Sequence, residues 1–366
     1  MRTALLPVFL ILFVCGATPA QTPGAGRTER NYPAPIEGDL VIPNFHFRSG
    51  ESLPELKIHY RTIGTAKADT SGVVRNAVLI GHGTGGAGTQ FLSPQFANVL
   101  FGPGQLLDAT RYFIILPDGI GHGGSSKPSD DLHARFPHYT YDDMVEAQFQ
   151  LLTKKLGVNH LRLVMGTSMG GMQTWVWGET YPAFMDALMP LASLPVEIAG
   201  RNRIWRRMAM DAIRNDPEWL GGEYKMQPLQ ALTAAENLLL LVGSAPLQWQ
   251  KQASTRVAAD KFYEDRVTAA VARLDANDLL YQLDSSREYN PSPELEKIKA
   301  PLLAINSADD VINPPELGLM EREIKHVKRG RFVLLPITDQ TRGHGTHTLP
   351  AIWQGYLKEL LDESGH

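Results

Sequence analysis

The segment Gly-Thr-Ser-Met-Gly-Gly at residues 166–171 constrains the fold of this chain more than any other feature. It follows the apolar run 161–165 directly and precedes the helix-like stretch 172–178. A turn this sharp between a strand and a helix tolerates only small residues around its central serine, whose hydroxyl then stands clear of the sheet. The Met169 N–H points the same way and can donate to an oxyanion. The segment predicts that Ser168 is a nucleophile; the alternative is a glycine-rich turn that happens to hold a serine.

Short apolar runs bounded by glycine recur along the chain, at residues 77–80, 112–116, 161–165, 187–191, 301–305 and 331–335. Runs of this kind fit strands that are buried on both faces of a parallel sheet. Residues 38–47 and 56–61 instead alternate apolar and polar, which predicts two antiparallel strands joined at Ser49-Gly50. Strands that alternate with helices predict a doubly wound, mostly parallel α/β sheet.

Strand-like apolar runs do not recur between residues 196 and 290. There Arg, Met, Trp, Gln and Ala recur with helical spacing. This segment is predicted to be a helical cap inserted into the sheet domain. The core is then divided into a first part, 37–195, and a second part, 291–366. Residues 21–36 are rich in Pro, Gly and Thr and predict a flexible leader.

The first 20 residues have the pattern of a cleavable signal peptide. Arg2 gives a positive start, residues 4–14 are apolar, and the small residues at 18–20 suit cleavage after residue 20. The apolar run is shorter than the ~20 residues that a membrane-spanning helix needs, although an uncleaved anchor is the alternative. We therefore expect a periplasmic or secreted protein. The single cysteine, Cys15, is lost on cleavage, so the mature chain needs no disulfide.

A serine nucleophile needs a base, and the base needs a carboxylate that orients it. In strand–turn–helix serine enzymes the three follow the chain order serine, acid, histidine. Asp309 and Asp310 both follow the run 301–305, and we favour Asp310 because a proline stands four residues after it. His344 lies between two glycines that let its ring reach the serine, and His347 is its competitor. The order and spacing of these residues predict a catalytic triad.

The loop His-Gly-Thr-Gly-Gly at 82–86 follows the apolar run 77–80. Its glycines allow backbone N–H groups to face the serine, and Thr84 is the candidate for the second oxyanion donor. The alternative is a phosphate-binding loop, but the Gly-Lys-Ser/Thr ending of such loops is missing. Asp118 opens a second glycine-rich turn and is expected to bond backbone amides.

No metal or other cofactor is expected. His82, His122, His344 and His347 have no H-E-x-x-H spacing and no evident acidic third ligand. The net charge of −4, with both signs interspersed, gives no reason to expect a nucleic acid or an anionic membrane as partner. The expected partner is a small-molecule ester or other acyl compound.

Several segments carry a family likeness, namely 143–148, the turn 168–173, Tyr181-Pro182, 212–219 and 221–224. In these segments the chain resembles the homoserine O-acetyltransferase-like branch of the α/β-hydrolase superfamily, from about residue 40 to the end. The resemblance implies that Ser168 carries an acyl group, with Asp310 and His344 as its partners. It also implies that the cap forms the walls of a substrate tunnel, and that the protein can form a homodimer.

The chain departs from that branch at four places. Thr167 and Gly345 stand where the branch usually has Gly and Asp, and loop 82–86 replaces His-Ala-Leu-Thr-Gly. Residues 118–123 carry a hydrolase-like Asp-x-x-Gly-x-Gly pattern instead of the branch's own loop. Each departure favours an ordinary esterase. Export favours it too, because acetyl-CoA and homoserine are cytoplasmic metabolites.

Together these features predict an exported serine hydrolase that cleaves a small ester or related acyl bond through an acyl-enzyme intermediate. Acyl transfer to a hydroxyl is the first alternative, and a non-catalytic binding protein on the same scaffold is the second. Arg207, His82 and Met172 are the expected substrate contacts. Four arginines of the predicted cap could place a cation near a substrate carboxylate. The alternative is that they form a solvated face of a cap helix. They are Arg201, Arg203, Arg206 and Arg207.

Overall fold

Eight strands form one sheet in the computed structural model, which describes residues 30–365. The strands are β1 (Ile36–His46), β2 (Ser52–Ile63), β3 (Ala77–Gly81), β4 (Phe113–Pro117), β5 (Leu163–Thr167), β6 (Leu188–Leu191), β7 (Leu302–Ser307) and β8 (Gly330–Leu335). Their order across the sheet is β1-β2-β4-β3-β5-β6-β7-β8. Contacts divide the chain into residues 1–30 and 31–366, and this fold belongs to the second unit. The predicted signal peptide and most of the predicted leader lie outside the described residues.

The alternating strands at the start of the chain are antiparallel, and most of the continuously apolar strands are parallel. β1, β2 and β4 pair antiparallel, whereas β3 pairs parallel with β4 and β5, and β5 to β8 continue parallel. β3, β4 and β5 are buried at every position, because helices cover both faces of the sheet. The prediction of a doubly wound, mostly parallel α/β sheet is confirmed.

Ten α-helices accompany the sheet within residues 30–365. They are α1 (Pro94–Leu100), α2 (Tyr141–Gln150), α3 (Met169–Thr180), α4 (Gly200–Arg214), α5 (Leu229–Val242), α6 (Pro246–Gln252), α7 (Arg256–Val271), α8 (Ala276–Asp284), α9 (Leu319–Glu323) and α10 (Pro350–Glu363). A single π turn at Leu151–Lys155 continues α2. None of these helices is both long enough and apolar enough to cross a membrane.

Two apolar cores lie on opposite faces of the sheet. On one face, α1 and α10 pack through Phe96 and Trp353, whose ring centroids are 6.0 Å apart. On the other face, α2 and α3 pack with the buried Trp175 and Trp177. Burial of a large side chain of this kind stabilises the fold by about 1.5–3 kcal/mol. The central strands, which end at the candidate site, are therefore held firmly from both sides.

Helices α4 to α8 lie between β6 and β7, in the segment where the sequence predicts a cap. Three side chains of α8 tie this helical segment to loops of the core. Asp278 accepts hydrogen bonds from the Ser129 N–H and hydroxyl, and Gln282 donates to the Gly121 carbonyl. The Tyr281 hydroxyl donates to the Phe136 carbonyl at 2.7 Å. These bonds fix the helices over the loops that follow the strands.

The turn after β5 depends on direct contact between backbones. A methyl group on Gly170 would overlap the Gly81 carbonyl, so Gly170→Ala should destabilise the protein by about 1–3 kcal/mol or more. Gly355 is the matched control, because it lies inside α10 with no atom within 4 Å of an added methyl group. Gly355→Ala should stabilise by about 0.5–1 kcal/mol through helix propensity. Urea unfolding measures both; equal effects of the two substitutions would contradict this packing.

Candidate active site

Ser168 occupies a strained position between β5 and α3. Its backbone has φ 55° and ψ −112°, a conformation that costs a non-glycine residue about 1–3 kcal/mol. The strain persists because the turn is anchored on both sides. The Ser168 N–H donates to the Leu191 carbonyl, and the Gly170 N–H donates to the His82 carbonyl. The result is a partly exposed hydroxyl at the carboxyl end of the central strands.

His344 reaches Ser168 from the loop after β8. Its Nε2 lies 2.8 Å from the Ser168 Oγ, and its Nδ1 lies 2.8 Å from the Asp310 Oδ2. Because a carboxylate only accepts, Nδ1 carries the proton and Nε2 is free to accept one from the serine. The three side chains that the sequence selected therefore form one continuous hydrogen-bonded chain.

Asp310 is almost fully buried, with 2% of its surface exposed. Burial raises the pKa of its carboxyl, and the charge and hydrogen bond of His344 act in the opposite direction. A hydrogen bond from Asn313 adds to the lowering, so the pKa lies below its ordinary value. Asp310 therefore stays ionised and can stabilise a positive charge on His344 when the imidazole takes a proton.

The two competing residues have other partners. Asp309 accepts hydrogen bonds from the Ser307 hydroxyl and from the Gly343 N–H, and so holds the histidine loop in place. The His347 ring lies edge-on to the His344 ring with centroids 5.2 Å apart. Burial lowers the pKa of His347 to about 3, so this ring stays neutral. Neither competitor contacts the serine in the hydrogen-bond network of the described residues.

The oxyanion side of the site is formed by loop 82–86 and the start of α3. Gly83 lies against the serine, since a methyl group added there would be 3.5 Å from the Ser168 Cβ. Thr84 follows it in the same loop. Met169 is the first residue of α3, and N–H groups of a first helical turn have no partner within the helix. In the loop, the Gly83 and Gly86 N–H groups already have acceptors. The N–H groups of Met169 and Thr84 have none in the hydrogen-bond network of residues 30–365, so both can donate to a negatively charged oxygen.

A glutamine that the sequence did not single out links the two halves of this oxyanion side. The Gln90 side-chain amide donates to the Thr167 hydroxyl at 3.1 Å, and its oxygen accepts from the Gly83 N–H at 3.4 Å. Gln90 therefore fixes the distance between the loop after β3 and the serine turn. It follows the glycine-rich loop after β3, but no charge pattern or motif singles out this glutamine.

His82 and Asp118 hold the glycine-rich loops after β3 and β4 in place through hydrogen bonds to their backbones. The His82 Nε2 accepts from the Gly119 N–H, and its Nδ1 donates to the Gly83 carbonyl. Burial lowers the pKa of His82, and both ring nitrogens are occupied, which leaves none for a substrate. Asp118 accepts from the N–H groups of Gly88 and Gly124, as the sequence predicts, and from Arg61.

Asn313 is a second residue that sequence reasoning missed. Its amide donates to the Ala192 carbonyl at 2.9 Å and to the Asp310 Oδ2 at 3.0 Å. It therefore ties the acid loop after β7 to the chain that leaves β6. Its place three residues after Asp310 is the only sequence signal for this role.

An apolar cavity of about 400 Å³ lies beside the acid loop. Its walls come from α3, the start of α4 and the residues after Asp310, and they include Met172, Leu194, Ile198, Ile312 and Leu319. Cavities of this size suit small organic ligands. Met172, which the sequence predicts as a substrate contact, lines this cavity.

The cap arginines point in different directions. Arg207, a predicted substrate contact, lies on the exposed side of α4 and donates to the Asp211 carboxylate. Arg206 is 2% exposed and faces the core instead. Successive residues of a helix are rotated by about 100°, so a one-residue difference decides which arginine is buried.

Within residues 30–365, no cluster of three or more His, Cys, Asp or Glu side chains could hold a metal ion.

Comparison with known proteins agrees with this architecture. The family model described as alpha/beta hydrolase fold matches residues 76–333. A protein of Methanothermobacter thermautotrophicus described as a probable acyltransferase is 32% identical over 277 residues, covering 75% of this chain and 83% of that protein. A homoserine O-acetyltransferase of Pelobacter propionicus is 31% identical over 351 residues, covering 86% and 92%. Among solved structures, esterase E22 shares the fold, with a TM-score of 0.79, 20% identity and coverage of 90% and 100%.

The Gln90 link should control how readily the serine reacts. Gln90→Ala removes both of its hydrogen bonds and frees the loop after β3, so labelling of Ser168 by a fluorophosphonate should slow about 10- to 100-fold. Gln105→Ala is the matched control, because the Gln105 side-chain amide also makes two hydrogen bonds, from the Gly102 N–H and to the Asn98 carbonyl, in a loop away from the serine. Labelling rates that fall equally in both variants would show that Gln90 has no special role.

Proposed function

The chain belongs to the homoserine O-acetyltransferase-like branch of the α/β-hydrolase superfamily, and on that basis we propose that it is a serine hydrolase of small esters or related acyl compounds. The observation that carries the proposal is the unbroken chain of 2.8 Å contacts from Ser168 through His344 to Asp310. A serine that is hydrogen-bonded to a histidine base, which a buried and ionised acid orients, is equipped for covalent acyl transfer.

The first half of the proposed reaction forms an acyl-enzyme. The Ser168 Oγ attacks the ester carbonyl while its proton passes to the His344 Nε2. Negative charge develops on the carbonyl oxygen, and the N–H groups of Met169 and Thr84 stabilise it. The imidazolium then gives its proton to the departing alcohol oxygen as the carbon–oxygen bond breaks. The acyl group is left on Ser168, and His344 is neutral again.

The second half returns the enzyme to its starting state. Water loses a proton to the His344 Nε2 and attacks the acyl carbon, which passes through a second oxyanion at the same N–H groups. The Ser168 oxygen leaves and takes the proton back, and a carboxylic acid is released. Throughout, Asp310 holds the Nδ1 proton and keeps the ring in the correct tautomer.

Water and an alcohol compete for the same acyl-enzyme, so hydrolysis and acyl transfer differ only in the acceptor. Water is favoured here because Gly345 presents no side chain next to the base, where the branch usually has an aspartate. Acyl transfer is the second candidate, and it is favoured by the two relatives described as acyltransferases.

The products separate these candidates. Mature protein is incubated with p-nitrophenyl acetate and excess homoserine, and products are followed by mass spectrometry. Free acetate should be the Ser168-dependent product, and Ser168→Ala should lower the rate about 10⁴- to 10⁶-fold. O-acetylhomoserine as the main product would instead establish acyl transfer. No turnover together with no fluorophosphonate labelling would support a binding protein.

Two adjacent carboxylates provide a matched control for the same assay. Asp310→Asn should lower kcat about 10⁴-fold, because the amide no longer holds the histidine tautomer. Asp309→Asn should stay within about tenfold of the wild type, since Asp309 only supports the loop. A larger loss for Asp309 than for Asp310 would reverse the assignment of the acid.

The proposed place of action is outside the cytoplasm. Support comes from the positive start, the apolar residues 4–14 and the small residues before Gln21. When the full chain is expressed with a C-terminal tag in a Gram-negative host, the periplasmic fraction should hold a protein that begins at Gln21. An intact N-terminus in the cytoplasmic fraction would exclude export. The proposal of an esterase would then depend only on the residues of the candidate active site.

A further inference from the structure

The loop at residues 336–344, which carries His344, leaves the sheet as an exposed segment. Residues 336–340, directly after β8, are all exposed and include no helix or strand. Exposed loops of this kind are mobile unless contacts with the rest of the molecule hold them. The 2.8 Å contacts of His344 with Ser168 and Asp310 therefore depend on whatever holds the loop 336–344 in place.

Helix α6, in the helical segment between β6 and β7, contacts this loop through two side chains. The Gln248 amide donates to two backbone carbonyls of the loop, that of Asp339 at 2.8 Å and that of Thr341 at 3.0 Å. The Lys251 ammonium lies 3.1 Å from the Asp339 carboxylate, but both groups are well exposed, and such an ion pair contributes little. The two hydrogen bonds of the half-buried Gln248 are therefore the main attachment.

The chain that leads into α6 also packs against the loop. A methyl group added to Gly343 would lie 2.6 Å from the Ser244 carbonyl oxygen, so the two backbones are in direct contact. Gly343 has φ 57°, a conformation that favours glycine, and it directly precedes His344. From the core, the Asp309 carboxylate accepts a hydrogen bond from the Gly343 N–H. The residue before the histidine is thus held between the helical segment and the core.

We propose that α6 clamps the loop 336–344 and that Gln248 is a positioning residue for the reaction. Gln248 acts through the Thr341 carbonyl, three residues before His344. While the loop is held, the His344 Nε2 stays within hydrogen-bond distance of the Ser168 Oγ. A displacement of about 1 Å would be enough to lose that alignment, at a cost of about 100-fold in rate.

The inference rests on the proposed function, because it takes His344 as the base. It goes beyond that function by giving the inserted helical segment a part in catalysis, although α6 supplies no group to the reacting atoms. A glutamine that only stabilised the fold would lower the stability of the protein and leave the position of the histidine unchanged. The tests therefore measure turnover and the histidine separately.

Kinetics compare Gln248 with a matched glutamine. Gln248→Met keeps the length of the side chain and removes its donors, so kcat for p-nitrophenyl acetate should fall about 10- to 100-fold. KM should stay within about twofold, because Gln248 acts on the base rather than on the substrate. Gln227→Met is the control: Gln227 is also half-buried and also makes two hydrogen bonds, to Asp275 and from the Ala276 N–H, both inside the helical segment.

The control variant should keep kcat within about twofold of the wild type. Both variants are assayed at a temperature at which circular dichroism shows them to be folded. Equal losses of kcat in the two variants would overturn the clamp, and so would a Gln248→Met enzyme as fast as the wild type.

Proton NMR tests the position of the base without any turnover. The proton between the His344 Nδ1 and the Asp310 carboxylate should give a signal far downfield, which His344→Ala removes and so assigns. In Gln248→Met this signal should weaken or move upfield as the hydrogen bond lengthens, while in Gln227→Met it should match the wild type. An unchanged signal in Gln248→Met would refute the clamp, even if kcat falls.

The two measurements also separate this inference from the proposed function. A wild type that hydrolyses no ester would contradict the proposed function, and the NMR comparison would then decide the clamp by itself. A signal that changes in Gln248→Met alone would support the clamp in that case. A signal that changes equally in both glutamine variants would refute it.

Discussion

Backbone contact between Gly81, Gly166 and Gly170 is the constraint on which the candidate site depends. None of the three has a side chain that would hold the strands and α3 apart, so the helix starts directly on the sheet. The chain must then reverse within one residue, and Ser168 takes the strained conformation that this demands. The large apolar cores on both faces of the sheet supply the stability that keeps the strain in place.

The other side chains of the site reach that turn from loops. Loops position side chains precisely only when hydrogen bonds hold them to the rest of the structure. Here the ties are mostly hydrogen bonds between a side chain and the backbone of another loop. Gln90 links the loop after β3 to the serine turn, Asp118 links two glycine-rich loops, and Asn313 holds the acid loop. Because each tie satisfies buried N–H or C=O groups, loosening one exposes an unpaired polar group at a cost of about 1–3 kcal/mol.

Asp310 provides the buried charge on which the site depends. It is fully engaged by His344, Asn313 and a backbone amide, so its negative charge is stabilised. Arg206 on α4 is also buried, but its hydrogen-bond acceptors, Asn202 and Ser286, are neutral. The negative charge behind the histidine is thus matched by its partners, whereas the charge of Arg206 is stabilised by neutral groups.

The sequence by itself determined the type of sheet, the turn that carries Ser168, and the choice of Asp310 and His344, because strand patterns, glycines and chain order are local properties. It did not determine which residues tie the loops, or whether Arg206 or Arg207 faces inward. Those outcomes depend on how α4 is rotated when it packs on the core, and on loops that are distant in the chain meeting at the sheet edge. Only tertiary packing sets these relations, since a rotation of about 100° per residue exchanges a solvated arginine for a buried one.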